Sequence, residues 1–258
     1  MGVFRGARGS GRSGHGWAWF LCSFVIGLSC LLLFGQGVGA STGLRPMRFH
    51  AMVVSGDLVG SAFALSERVA VTNGHVVEGR RPGDTVRLVA SAGSDRRADA
   101  RILAISRHMD RAVLAIPAGF LPPVSTEPVR SHGGLAVVAV GVDASGGPRA
   151  GARLELFGHV TEPRKDIDVF GPGLVALVPG VRPGFSGGPI LDRSDHLVGM
   201  LTAIRRGTAA ARVVQAGAGS AYASQGTSAI ADEAFVIRAH ELRAEVARLL
   251  AASGYAVR

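Results

Sequence analysis

The sequence predicts an all-β body followed by one C-terminal helix, and three observations support this fold class. Short runs rich in Val, Ile, Leu and Phe recur along the chain, and Gly, Pro, Ser and Asp separate them, as in the strands of a barrel or sandwich. The chain contains 37 glycines, which can supply the turns between such strands. Only the segment from Glu241 to Leu250 has the apolar periodicity of an amphipathic helix.

The strand-like runs are too short and too closely spaced for βαβ units. They are His50–Val54, Val59–Leu65, Arg68–Thr72, Val86–Ala90, Ala100–Ile105, Ala112–Ile116, Leu135–Gly141, Leu154–His159, Leu174–Val178 and Leu197–Ile204. A Pro/Gly-rich stretch, Leu121–Gly134, is the best candidate for a link between two subdomains. The Ala/Gly/Ser-rich segment Gly207–Ser228 is predicted to be a long loop.

The C-terminal helix is predicted over about residues 239–251. Leu242, Val246, Leu249 and Leu250 fall on one face of it, so we expect this face to pack on the β-structure. The few residues beyond the helix leave little room for an appended domain.

Residues 1–40 have the tripartite pattern of an export signal. Three arginines and no acidic residue precede an uncharged, mostly apolar run over residues 17–34, and small residues follow up to Ala40. We expect cleavage after Ala40, which would leave a body over residues 41–258 in the periplasm or secreted. The alternative is an uncleaved anchor, in which residues 17–34 hold the body at the inner membrane, facing the periplasm.

Composition excludes several other classes of function. Both cysteines, Cys22 and Cys30, lie in the N-terminal segment, so the body has no disulfide framework, thiolate zinc site or cysteine nucleophile. The net charge of +9 comes from scattered arginines and Lys165, the one lysine, with no basic helix or aromatic-interleaved patch for nucleic acid. The histidines lack the spacing of metal ligands, and we expect neither a metal nor a cofactor.

Two motifs supply a candidate base and a candidate acid. His75 comes just after the strand-like run Arg68–Thr72, where a rigid strand end can hold the imidazole at a cleft. Asp110 opens the apolar run Ala112–Ile116, so its carboxylate can be partly buried and must then find a hydrogen-bond donor. Taken alone, each residue also fits an ordinary structural or surface role.

The third motif, Pro183–Ile190, is more specific because it surrounds Ser186 with glycines. A serine is a poor nucleophile unless a base takes its proton. Glycines on both sides let the backbone turn sharply and direct N–H groups inward. The N–H groups of Gly184 and Ser186 could then bind the oxygen of a tetrahedral intermediate. A Gly-rich hairpin is the structural alternative.

In the order His75, Asp110, Ser186, the chain resembles the chymotrypsin-fold, trypsin-like serine proteases, and in particular the protease domain of the bacterial HtrA/Deg type without a PDZ domain. The matching segments are Thr72–Val77, Asp110–Leu114 and Gly184–Pro189, with weaker matches at Gly199–Ile204 and Ala234–Ile237. The resemblance implies two six-stranded antiparallel β-barrels, with the site in the groove between them. They would span about residues 48–120 and 134–238.

The resemblance also implies a role for each residue of the site. Ser186 would attack the scissile carbonyl, His75 would take its proton, and Asp110 would fix the imidazole tautomer. Thr202 occupies the place of a hydroxyl that supports the aspartate. The expected activity is that of a serine endopeptidase on protein or peptide substrates.

The substrate pocket is expected to be small and apolar. Trypsin-like members that cleave after Lys or Arg carry an acid six residues before the serine, and here that position is Gly180. Val181, Ala203 and Ile204 would line the pocket, where an unpaired Lys or Arg would be costly to desolvate. We therefore expect cleavage after small or aliphatic residues.

One departure from the family lies beside the nucleophile. Phe185 stands where trypsins have an aspartate that pairs with a new N-terminus, so that activation step is not expected here. A protease-fold protein that binds or scaffolds without catalysis stays an alternative. A nucleophile elbow of an α/β-hydrolase is disfavoured, because Pro189 follows where that fold needs a helix. The sequence leaves the oligomeric state and the natural substrate open.

Overall fold

The computed structural model describes residues 46–91, 96–106, 108–146, 151–167, 170–206, 212–214 and 232–255. The expected export signal, its cleavage site and the apolar run 17–34 lie outside this part of the chain. Within it, no helix combines the length and the apolar character needed to cross a membrane.

The first barrel is formed by six antiparallel strands in the closed order β1-β2-β3-β6-β5-β4. The strands are β1 (His50–Ser55), β2 (Leu58–Ser66), β3 (Val69–Thr72), β4 (Thr85–Ala90), β5 (Arg97–Ser106) and β6 (Arg111–Ala115). A two-residue turn joins β1 to β2, and Gly56 supplies the positive φ of 64° that such a turn needs. Small and branched apolar side chains, such as Ala62, Val86 and Leu114, fill its interior.

The second barrel also has six antiparallel strands. They are β7 (Ala136–Asp143), β8 (Ala152–Ile167), β9 (Gly171–Leu177), β10 (Pro189–Leu191), β11 (Leu197–Arg206) and β13 (Glu233–Arg238). The ring closes because β10 pairs with both β7 and β11. A short strand, β12 (Arg212–Val214), pairs with the end of β11 and stands outside the ring.

The helix α1 (Ala239–Ala252) follows β13 directly and packs against both barrels. Leu242, Val246, Leu249 and Leu250 are all buried, as the apolar periodicity predicts. They join a core that includes Phe63 and other side chains from the facing sides of the barrels. Each such side chain contributes roughly 1.5–3 kcal/mol when fully removed from water. The helix thus helps to hold the barrels together and fixes the groove between them.

The predicted fold class is confirmed, namely two six-stranded antiparallel barrels with one C-terminal helix in the described residues. Each strand-like run overlaps an observed strand, although Arg68–Thr72, Ala112–Ile116, Leu135–Gly141 and Leu174–Val178 each extend one residue beyond it. Three strands, β10, β12 and β13, are not among the predicted runs. The sequence Pro189–Leu191 was assigned only to the serine motif, because a three-residue strand has no measurable alternation. The prediction of a loop throughout Gly207–Ser228 is wrong at Arg212–Val214, which pair with β11 as β12, and the other residues of that segment lie outside the described part.

Candidate active site

His75 lies in the first barrel, shortly after the end of β3. The strand ends at Thr72, and His75 begins a single 3₁₀ turn over His75–Val77. Val76 and Val77 bury their side chains in and around the first barrel, so the turn is anchored by apolar contacts. This anchoring orients the imidazole, whose side chain is 9% exposed.

Asp110 holds His75 at two points. Oδ1 accepts a hydrogen bond from the backbone N–H of His75 at 2.8 Å, and Oδ2 lies 2.7 Å from Nδ1 of the ring. Asp110 directly precedes β6 and has a φ of +48°, a left-handed conformation that Asp tolerates better than most residues. Because a carboxylate only accepts, Nδ1 carries the ring proton, and Nε2 is left with a lone pair.

Asn73 connects this pair to the second barrel, although the sequence analysis assigns it no role of its own. Its side-chain amide donates to the backbone oxygen of Asp110 at 3.0 Å and to Thr202 Oγ1 at 3.1 Å. Thr202 therefore reaches Asp110 through Asn73, and its hydroxyl makes no direct hydrogen bond to the carboxylate. The link from Thr202 passes through Asn73, which lies between the two residues, and ends at the backbone oxygen of Asp110.

The loop that carries Ser186 is held by both barrels. The N–H of Ser61, in β2, donates to the carbonyl oxygen of Ser186 at 2.9 Å. The N–H of Gly187 donates to Leu201, in β11, at 2.9 Å. Gly187 has a φ of +83°, and a Cβ there would lie 2.2 Å from the carbonyl oxygen of Ser61, so only glycine allows this close approach.

The hydrogen bonds of this loop leave two N–H groups free of internal partners. The carbonyl of Pro183 accepts from Ala144 N at 3.2 Å, which turns the N–H of the same peptide, that of Gly184, the other way. The carbonyl of Phe185 accepts from a later residue of the loop, Gly188, at 2.8 Å, which does the same for the N–H of Ser186. Among the described residues, neither N–H has an acceptor.

The side chains of Ser186 and His75 are not hydrogen-bonded to each other. Ser186 Oγ and His75 Nε2 are both buried, and neither has a hydrogen-bond partner within the described residues. A base without its serine contact is common in unliganded sites, where the bond tightens when substrate binds.

Phe185 fixes the loop from the inside of the second barrel. Its side chain is fully buried among apolar residues that include Val181 and Ile204. A Cβ at Gly141 in β7 would come within 2.4 Å of the Phe185 ring, so the ring lies directly on that glycine. An apolar contact thus stands where an ion pair would otherwise be expected.

The predicted pocket residues do not all face the same cluster. Val181 and Ile204 share the apolar interior that contains Phe185, whereas Ala203 packs with Phe170, Val175 and other residues on the opposite face of the sheet. The alternation of a strand explains this division, because Ala203 and Ile204 are neighbours in β11 and point to opposite faces. The described residues contain no cluster of three or more His, Cys, Asp or Glu side chains that could bind a metal ion.

With this geometry established, comparison with known proteins identifies the family. The family model described as a trypsin-like peptidase domain matches residues 60–200, more than half of the chain. The chain therefore belongs to the trypsin-like peptidase family, and its fold and domain are those of a serine endopeptidase. A search of curated proteins gave no match.

Solved protease structures share this fold. The inactive form of the Rv3671c protease from M. tuberculosis H37Rv is 22% identical with a TM-score of 0.58, and the match covers 80% of this chain and 88% of that one. The HtrA-type protease AlgW with a tripeptide is 21% identical with a TM-score of 0.58, over 80% of this chain and 61% of its own. The serine endoprotease from Yersinia pestis is 19% identical with a TM-score of 0.57, over 80% and 64%.

Proposed function

We propose that the protein is an exported serine endopeptidase that hydrolyses peptide bonds through an acyl-enzyme. Ser186 is the nucleophile, His75 is the general base, and Asp110 fixes the tautomer of His75. The observation that carries the proposal is the two-point contact of Asp110 with the backbone and the ring of His75. This contact favours the one tautomer that leaves Nε2 able to accept a proton.

The chemical steps follow from these groups. Ser186 Oγ attacks the scissile carbonyl carbon while its proton moves to His75 Nε2. The imidazolium that forms is stabilised by Asp110 Oδ2, 2.7 Å from Nδ1. Nε2–H then protonates the leaving amine, and the acyl group stays on Ser186. A water molecule then attacks the acyl carbon while its proton moves to Nε2. The ester bond to Ser186 Oγ breaks as Nε2–H returns that proton to Oγ, which releases the acid and regenerates the serine.

The N–H groups of Gly184 and Ser186 form the oxyanion hole in this proposal. Both lack an acceptor among the described residues, and the carbonyls of their peptides are bonded elsewhere. Donors that are fixed in place before the reaction stabilise developing negative charge without reorganising. Removing one such donor typically costs about 10²–10³ in kcat.

The substrate is a protein or peptide with a small or aliphatic residue before the scissile bond. Val181 and Ile204 supply apolar surface, and Ala234 is the register partner of Ile204 and belongs to the same cluster. Gly180, six residues before the serine, offers no negative charge to a basic side chain. The strand edge near Thr202 and Ala203 would align the substrate chain.

Export is proposed from the N-terminal sequence, with the body acting in the periplasm or outside the cell. Uncharged residues 17–34 and the small residues up to Ala40 support a cleaved signal. Attachment to the inner membrane through the same residues is the alternative outcome.

A second candidate is a binding or scaffold protein that has kept the protease fold without catalysis. The observation in its favour is that Ser186 Oγ and His75 Nε2 have no hydrogen bond to each other. Turnover of unfolded casein by the full chain separates the two functions. Endopeptidase activity that Ser186→Ala abolishes, with an unchanged thermal midpoint, supports the enzyme. Casein binding without cleavage by either form supports the scaffold.

A further inference from the structure

A buried chain of polar side chains runs from the first barrel to the loop of the nucleophile. Ser91 Oγ lies 2.6 Å from His50 Nδ1, and His50 Nε2 lies 2.8 Å from Ser61 Oγ. Ser61 Oγ in turn donates to the carbonyl oxygen of Gly184 at 2.6 Å. His50 and Ser61 are fully buried. Buried polar groups need hydrogen-bond partners, and here the last partner is the backbone beside Ser186.

Only one assignment of donors and acceptors is possible along this series of hydrogen bonds from Ser91 to Gly184. A carbonyl oxygen accepts, so the single proton of the Ser61 hydroxyl must go to Gly184. Ser61 Oγ then accepts from His50, so the ring proton of His50 lies on Nε2, and Nδ1 accepts from Ser91. Burial, with a smaller contribution from the charge of Arg153, lowers the pKa of His50 to about 3, which keeps the ring neutral at neutral pH.

Ser61 holds the loop at two carbonyls, those of Gly184 and Ser186, on either side of Phe185. Its side chain holds the carbonyl of Gly184, and its N–H holds the carbonyl of Ser186 at 2.9 Å. The backbone of Ser61 is itself fixed, because Thr72 Oγ1 donates to its carbonyl oxygen at 2.7 Å. Ser61, in the first barrel, therefore fixes the backbone of the loop that carries Ser186 in the second barrel.

These hydrogen bonds matter because Gly184 has no side chain to restrict the orientation of the peptide groups on either side of it. Its φ is +102°, a region that non-glycine residues rarely adopt, and hydrogen bonds must select the orientation. The peptide that Ser61 holds lies between the two peptides whose N–H groups form the proposed oxyanion hole. The N–H of the same peptide, that of Phe185, donates to the carbonyl oxygen of Arg182 at 3.2 Å, so the two bonds together fix the middle peptide and with it the spacing of the two N–H groups.

We propose that Ser61 and His50 are positioning residues that keep the oxyanion hole formed in the unliganded enzyme. His50 orients the Ser61 hydroxyl, and Ser61 locks the carbonyl of Gly184. The inference rests on the proposed function, since it assigns a role in forming the site for that reaction. Neither residue touches the substrate or the reacting atoms.

The test compares Ser61→Ala with Ser55→Ala in the full-length chain. Ser55 is the matched control, because it is also a buried serine of the β1–β2 hairpin and accepts a hydrogen bond from Arg80 at 3.3 Å, but it does not contact the loop. We expect Ser61→Ala to lower both kcat and the rate of fluorophosphonate labelling at least about 10-fold, with KM within about two-fold. Ser55→Ala should stay within about two-fold of the unsubstituted chain in all three quantities. An unchanged labelling rate in folded Ser61→Ala overturns the proposal.

Two further measurements keep the proposal testable if Ser61→Ala does not fold. His50→Leu removes the ring N–H that orients the Ser61 hydroxyl, and a labelling rate within about two-fold of the unsubstituted chain in this folded variant would overturn the positioning role. Nitrogen-15 NMR of His50 in the unsubstituted protein should show the Nε2–H tautomer, and the Nδ1–H tautomer would contradict the hydrogen-bond chain. The tautomer does not depend on turnover. A chain that is not labelled at Ser186 but shows the expected tautomer refutes the proposed function and leaves the hydrogen-bond chain intact.

Discussion

Exchange of Asp110 for asparagine tests the pairing with His75 most specifically. The carboxylate uses two different oxygens, one for the backbone N–H of His75 at 2.8 Å and one for the ring at 2.7 Å. An asparagine amide has only one oxygen. The backbone N–H is always a donor, so the amide oxygen must face it, and the amide NH₂ must then face Nδ1.

This rearrangement removes the base. Because an NH₂ group donates, Nδ1 has to accept, and the ring proton moves to Nε2, where it blocks proton transfer from Ser186. The same exchange in a Ser-His-Asp triad lowers kcat by about 10⁴, which corresponds to about 5 kcal/mol of transition-state stabilisation. We expect the backbone conformation at this position to stay the same, since asparagine also tolerates the left-handed φ of +48°.

The assay is the steady-state hydrolysis of unfolded casein, or of a peptide derived from a mapped cleavage site, by the full chain. Asp99→Asn in β5 is the matched control, because its side chain is 68% exposed and lies 3.6 Å from the exposed Arg87. We expect this control to keep the full rate. If Asp110→Asn kept more than about a tenth of kcat with the same thermal midpoint, the tautomer argument would be refuted.

Three further predictions concern the pocket, the loop and the response to pH. Peptides with Val or Ala before the scissile bond should be cleaved with a higher kcat/KM than matched peptides with Arg, because the proposed pocket offers no carboxylate. Phe185→Ala should lower the free energy of unfolding by about 3–5 kcal/mol and also lower kcat, because it leaves a cavity against Gly141 under the loop. The folded-state pKa of His50, about 3, lies below its ordinary value of 6.5, so its neutral form stabilises the fold fully above pH 6.5. That contribution is lost as the pH falls from 6.5 towards 3, and between pH 7 and pH 5 the stability advantage of the natural chain over His50→Gln should shrink by about 2 kcal/mol.

Each of these outcomes has a direct check. Preference for Arg over Val would contradict the pocket assignment. Chemical denaturation should show that Phe185→Leu loses less stability than Phe185→Ala, and equal losses would argue against a volume effect. For the pH prediction, His240→Gln is the surface control, since its side chain is 68% exposed. An equal slope for the natural chain and His50→Gln would show that His50 is not buried in neutral form.

The sequence predicted most strands because they are short, almost continuously buried apolar runs bounded by Gly, Pro, Ser and Asp. It did not predict β10, whose three residues lie inside the serine motif, or β12, whose surroundings are rich in Ala and Gly. It also did not assign β13 as a strand, because this segment leads directly into the helix and was noted only as a weaker family match. The C-terminal helix was predictable from four apolar residues on one face, all of which are buried.

The candidate site was predictable for the residues that carry chemistry and less so for those that hold them. His75, Asp110 and Ser186 have reactive side chains in recognisable local contexts. Asn73 stood inside a quoted motif, but its bridge to Thr202 joins positions 129 residues apart, which no local pattern reveals. His50 and Ser61 looked like ordinary members of two strands. Their roles depend on a closed barrel that brings them to the loop of the other barrel.

The central claim is that Ser186 is an activated nucleophile beside a formed oxyanion site. The most direct test is fluorophosphonate labelling of the purified full-length chain, with mass spectrometry to locate the adduct and Ser186→Ala as the control. We predict a single adduct on Ser186 and none on the variant. A folded chain that carries no adduct, or carries it equally in the variant, would contradict the claim and favour the non-catalytic scaffold.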